Sequence, residues 1–197
     1  MRLRVLVAVL GLTALLTACG SDGDDSSADA GSEPGETSAA ETQHNDADVA
    51  FVQMMIPHHE QAIEMAMLAA DRAEDERVID LAARIQAAQG PEIDEMRGWL
   101  EDLGEDEASS DEHGGGHDGG GFMTDEDMDA LGATVGTEFD RTFLEMMIEH
   151  HRGAVEEADV EIADCENPDA VELARVIKSA QEAEIAEMEA LLEELAA

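Results

Sequence analysis

Shifted against itself by 92 residues, the 197-residue sequence aligns two long segments without a gap. Phe51 falls on Phe143, Met54-Met55-Ile56 on Met146-Met147-Ile148, His58-His59 on His150-His151, and Ala62 on Ala154. The register holds through Leu81 and Leu173, Ile85 and Ile177, Gln89 and Gln181, Ile93 and Ile185, Met96 and Met188, and Leu100 and Leu192. A constant offset over about fifty positions marks an internal duplication, so each half must fold as the other does.

Each half reads as a helical hairpin. In the second, Leu144, Ile148, His151, Val155 and Ile162 recur at steps of three, four and seven, an apolar stripe of helical period. Aromatics make up only 3% of the chain and strand formers are scarce, whereas Ala, Leu, Glu, Met and Ile abound. Asn45 with Asp48, and Thr137 with Asp140, stand as N-cap residue and N3 acid of a capping box. Asp75 and Asn167-Pro168 open the second helices, proline sitting where its missing N–H is harmless. These signals predict helices over 46–72, 76–102, 138–164 and 168–195. A shorter one over 124–133, capped by Thr124, turns Met128 and Leu131 inward. Rods of about 40 Å can bury their stripes only against one another. The expected fold is all-α, a four-helix bundle of two duplicated hairpins with a short extra helix in the linker. Residues 46–195 form this domain: repeat one 46–102, linker 103–137 and repeat two 138–195.

Ahead of the repeats the chain carries an address. Arg2 and Arg4 precede an apolar run from Val5 to Leu16 that ends at Leu16-Thr17-Ala18-Cys19. About twelve apolar residues are too few to span a hydrocarbon core of about 30 Å, so residues 1–18 read as a signal peptide. Its end resembles the bacterial lipobox, in which the cysteine is lipidated. Cys19 is thus expected to carry acyl chains such as palmitate, and residues 19–45 to form a disordered acidic tether on the extracytoplasmic side of the cell membrane. Cys165 is then left without a disulfide partner and is read as a buried filler. A second low-complexity stretch, Gly104 to Gly121, holds His113 and His117, which could catch a metal only weakly. With 49 Asp+Glu against 10 Lys+Arg, the formal charge of −39 excludes a nucleic-acid partner, which needs a basic footprint.

One motif carries chemistry. The first helix of each repeat bears M-M-x-x-H-H: Met54, Met55, His58 and His59, then Met146, Met147, His150 and His151. Residues three or four apart share a helical face, so the thioethers lie one turn from the imidazoles. The histidines fall near mid-helix in both repeats, hence at mid-height of the bundle whichever way the hairpins pack. Reflection through the turn near residue 74 sets Gln89 opposite His59, and Gln181 opposite His151, where an amide can hold one ring nitrogen and leave the other free. It also pairs Pro57 with Pro91, two helix kinks at one height that mark either an opening there or a simple bend round the core. Four histidines and four methionines at one level favour a metal site, since unpartnered buried ring nitrogens cost roughly 1–3 kcal/mol each. The alternative is a set of structural histidines. Thioether with imidazole selects Cu(I), and by the same softness Ag(I), over iron, magnesium or calcium. Met96 and Met188, about a turn away in height, could add ligands. Glu92 and Glu184 could serve as bridging acids, but the Glu-x-x-His pairing of di-iron bundles is missing. No hydrolytic triad, phosphate loop or zinc knuckle is present, and no organic cofactor is implied.

The segments DADVAFVQMMIPHHEQAIEMA and FDRTFLEMMIEHHRGAVEEA, with a second helix ending in Met96-Arg97-Gly98-Trp99-Leu100 or its copy, resemble the domain-of-unknown-function family 305 over roughly 45–195. The resemblance implies a ferritin-like bundle, common in exported and lipid-anchored bacterial proteins, some of whose members are periplasmic copper binders. It singles out Met54, Met55, His58, His59, Met146, Met147, His150 and His151. The sequence departs from the richer copper binders where Glu157 stands opposite Met65, and it lacks a Met-rich tail. The expected function is a lipid-anchored, extracytoplasmic protein that sequesters or hands over a copper ion without catalysis. The alternatives are an envelope interaction module with structural histidines and a ferritin-like redox enzyme. Because imidazole must be neutral to ligate, uptake is expected to weaken below its ordinary pKa of about 6.5.

Overall fold

The structure is a computed structural model in which residues 44–107 and 120–196 are described. The signal peptide, Cys19, most of the tether, His113 and His117 lie outside the described residues. Helix starts follow the cap chemistry of the sequence with one exception. Helix α1 (Asp46–Arg72) starts behind Asn45, which accepts from the N–H groups of Ala47 and Asp48 while Asp48 accepts from Asn45 N–H at 2.7 Å. Helix α2 (Glu76–Leu103) starts behind Asp75 and ends on Gly104, whose φ of 74° suits a residue without a Cβ. Helix α3 (Asp125–Ala133) has the Thr124–Asp127 capping box, and it buries Leu131 fully and Met128 in part. Helix α5 (Pro168–Leu195) starts behind Asn167 with proline at its first position.

The exception is helix α4 (Thr137–Asp164), where the expected Thr137–Asp140 capping box does not form. Thr137 is already helical, and the cap is Gly136 at φ 67°, without a side-chain bond. Asp140 is engaged elsewhere: its carboxylate accepts the N–H groups of Glu74 and Asp75 at 3.0 Å each, across the turn between α1 and α2. The other end repeats the arrangement 92 residues away, where Asp48 accepts Asn167 N–H at 3.1 Å at the turn between α4 and α5. Each acid thus satisfies the helix start of the opposite hairpin, and both are fully buried. Charge-assisted bonds to otherwise orphaned helix N–H groups are among the stronger polar contacts a fold can make.

Hairpins α1–α2 and α4–α5 pack together chiefly through α1 against α4. Their direction follows from which residues share a core. One cluster joins Ala62, Met65 and Ala69 of α1 with Leu81 and Ile85 of α2, Phe139, Phe143 and Met147 of α4, and Met188 of α5. The other joins Phe51, Val52 and Met55 with Ile93 and Met96, Ala154, Ala158, Ala174 and Ile177. The late half of α1 therefore meets the early half of α4, and the hairpins run antiparallel. The bundle is all-α, as the period of the apolar stripes dictates. Among the described residues no helix is long and apolar enough to cross a membrane.

Candidate metal centre

Between the two apolar clusters all four long helices contribute polar side chains at one level. His58, His59, His150 and His151 have no exposed surface, and Gln89 and Gln181 beside them are 3% exposed. His58 and His150, which are repeat partners, meet with ring centroids 3.7 Å apart and ring planes tilted by 35°. His59 lies 6.4 Å from His58 and His151 lies 6.2 Å from His150, centroid to centroid. The imidazoles of both repeats thus point inward and meet. The opening that Pro57 and Pro91 suggested is not there: both prolines lie inside their helices, but the adjacent rings are sealed.

The partners of the rings differ from expectation. His59 Nε2 bonds Glu92 Oε2 at 2.9 Å, and His151 Nε2 bonds Glu184 Oε2 at 2.8 Å. Gln89 and Gln181, expected in that role, leave both amide atoms unpartnered. Glu92 stands three residues beyond Gln89, one turn along the same face, and a carboxylate outcompetes an amide for an imidazole N–H. His58 Nε2 bonds the Gly120 carbonyl oxygen at 2.9 Å. A carbonyl or carboxylate oxygen only accepts, so Nε2 carries a proton on these three rings, whose Nδ1 atoms make no hydrogen bond. Those Nδ1 atoms, with Nδ1 and Nε2 of His150, make five buried ring nitrogens that have no protein partner.

Burial above all, then the neighbouring His59 and His151, pushes the His58 pKa from its ordinary 6.5 down to about 3. His150 is held well below its ordinary range by burial and by His58. Both rings are therefore neutral, the state in which imidazole ligates, well below the pH at which uptake was expected to weaken. Protonation inside this layer would place charge where no water reaches it.

The methionines divide between the two sides. Met55 and Met96 are fully buried in one apolar cluster, and Met147 and Met188 in the other. Met54 and Met146 are half-buried, each packed against one of these clusters. Thioether pairs thus flank the histidine layer from above and below rather than converging on one side. Unpartnered neutral imidazoles between thioethers fit a soft monovalent ion, for which oxygen ligands are dispensable.

Sequence reasoning missed the strap that covers this layer. Residues 120–123 cross between α1 and α4, with Phe122 edge-on to His58 at 4.9 Å. Gln61 clamps the strap through both amide atoms, donating to Met123 O and accepting from Met123 N–H, each at 2.8 Å. Gly153 lets the strap in: a Cβ there would stand 2.1 Å from Gly120 O. Gly120 and Gly121 themselves hold φ of 74° and 76°. Gln61 and Gly153 are repeat partners, and their mismatch was the available signal.

Residues 48–192 match the family model "Domain of unknown function (DUF305)". This chain belongs to the DUF305 family. A DUF305 protein from Streptomyces coelicolor is 37% identical to it, with a TM-score of 0.70 over 77% of this chain and 94% of that one. A DUF305 fragment from Deinococcus radiodurans is 30% identical, with a TM-score of 0.69 over 76% and 97%. CopM in a Cu(II)-bound form is 34% identical, with a TM-score of 0.65 over 75% and 96%. CopM has also been solved with Cu(I), with Ag and in the apo form. A search of the curated proteins finds no match. The DUF305 helices are thus the frame on which the histidine layer of this chain is built.

Proposed function

We propose that this DUF305 chain is a lipid-anchored, extracytoplasmic protein that binds Cu(I), with Ag(I) as its soft congener, for sequestration or handover without catalysis. The observation that carries the reading is the close, tilted pair His58–His150 within a sealed layer of four inward histidines, five of whose nitrogens lack a partner. His58 and His150 would hold the ion, with Met55 and Met147, each three residues before its histidine, as sulfur donors. The bound ion would supply soft Lewis acidity and nothing in the covalent chemistry of the chain. His59 and His151, held by Glu92 and Glu184, would orient the layer and add nitrogen donors. CopM with copper and silver supports the choice of metal. The basic and apolar N-terminus ending at Cys19 supports the anchor and the location.

Titration of the purified chain with Cu(I) against a competing chelator tests the reading. The wild type should outbind a His58→Ala/His150→Ala double variant by tenfold or more, about 1.4 kcal/mol. Equal affinity makes the histidines structural and the protein an interaction module. A second reading, a ferritin-like redox enzyme, draws on Glu92 and Glu184, which bring carboxylates to the ring level. Oxygen consumption on adding Fe(II) would support it, and none is expected.

A further inference from the structure

The two ends of the bundle are built alike but not filled alike. At one end Asp140 caps the turn between α1 and α2, where α1 presents the fully buried Ala69 and then Ala73 just past its last turn. At the other end Asp48 caps the turn between α4 and α5, and the positions matching those alanines carry Glu161 and Cys165. Two methyl groups suffice to close this junction, so neither a carboxyl nor a thiol is needed to pack it. Glu161 is nevertheless 1% exposed, and its Oε1 has no hydrogen-bond partner. One oxygen from Asp48, one from Glu161 and the Cys165 sulfur all lie within 4.8 Å of one another. A cavity of about 300 Å³ adjoins them, lined by Met54, Glu157, Glu161 and Cys165 among others.

We propose that Asp48, Glu161 and Cys165 form a second metal site in this protein, apart from the histidine layer, that takes a divalent cation of the zinc type. Zinc accepts thiolate sulfur at about 2.3 Å and carboxylate oxygen at about 2.0–2.2 Å, so the tetrahedral ligands of one ion stand about 3.4–3.7 Å apart. Closure on the ion draws the three donors, now within 4.8 Å of one another, together by up to about 1 Å. Two hard carboxylates beside a single thiolate suit a borderline dication and disfavour Cu(I). The remaining coordination position faces the cavity, where water can complete the shell. On binding, the thiol proton leaves to solvent and the sulfur keeps its electron pair for the metal.

Cobalt(II) is the probe, because it occupies zinc-type sites and shows thiolate ligation as near-ultraviolet charge-transfer absorption. The full chain is used in detergent in a Cys19→Ser background, so that Cys165 is its sole thiol. One equivalent of Co(II) should produce the band, and Zn(II) should bleach it. A Glu161→Ala/Cys165→Ala variant, which copies the Ala69 and Ala73 of the other end, should fold and lose both the band and one equivalent of Zn(II). Glu161→Gln keeps the thiol and should weaken Zn(II) by more than the roughly 10–100-fold typical of losing an outer partner. His58→Ala should leave the band intact. No thiolate band in the parent chain, a band that survives without Cys165, or unchanged Zn(II) affinity in Glu161→Gln would overturn the proposal.

Discussion

At the residue scale, the side chains that matter most are those with nitrogen or oxygen atoms left over. Glu92 and Gln89 stand one turn apart on α2, both at the histidine layer, yet one holds a ring and the other holds nothing. Their substitutions should therefore diverge. Glu92→Gln should lower Cu(I) affinity by roughly 10–100-fold, as the loss of a ligand's outer partner does. Gln89→Leu should leave affinity within about twofold and stabilise the fold, since it removes two unpartnered amide atoms that each cost about 1–3 kcal/mol. Competitive titration and thermal melts of the pair of variants check both. The neutral His58 has a further consequence for metal-free protein. Its native pKa of about 3 lies below the 6.5 of an unfolded chain, so between those values the unfolded state binds the extra proton. Stability should fall as pH drops through that window, by about 2 kcal/mol between pH 7 and pH 5 from this ring alone. Urea unfolding at the two pH values measures it, and His58→Leu should lessen the fall while His150 keeps its own share.

At the element scale, the legible parts of this molecule were those set by local signals. The apolar stripes, the cap residues Asn45, Asp75, Thr124 and Asn167, and the inward histidines all follow from local period and local chemistry, and the helices appear where those signals put them. What the sequence concealed depends on contacts between distant segments. Asp140 looks like a helix-start acid of α4 but serves the turn between α1 and α2. The reflection that set Gln89 against His59 erred by three residues, one helical turn, because it treats a hairpin as a flat ruler. The strap was invisible because two glycines and a phenylalanine in a linker carry no period. Gly153→Ala tests its seating. The added Cβ would collide with the Gly120 backbone, so the strap must lift, at about 1–3 kcal/mol for an overpacked site. A lower Tm and faster proteolysis between residues 120 and 123 are expected, and an unchanged Tm would show that the strap yields freely.

At the scale of the whole molecule, a formal charge of −39 acts on everything at once. Surface pairs such as Arg84–Glu187 at 2.5 Å and Arg152–Glu189 at 2.7 Å join neighbouring helices, but exposed pairs contribute only about 0–1 kcal/mol each. Too few cations exist to balance the acids, so self-repulsion opposes the folded state. Raising salt from about 0.01 to 0.5 M shortens the screening length from about 30 Å to below 5 Å. The melting temperature should rise, and a fall would mean that the pairs outweigh the repulsion. Antiparallel packing of like halves imposes one more condition. Such halves are related by a twofold axis, and at a single level along the bundle a residue touches its own counterpart. His58 and His150 occupy that level, so one sequence choice, made twice, places both rings of the pair. Anything toward the ends is parted from its twin by nearly the full length of the molecule, and there each half is at liberty to diverge, as Glu161 and Cys165 have from their alanine twins.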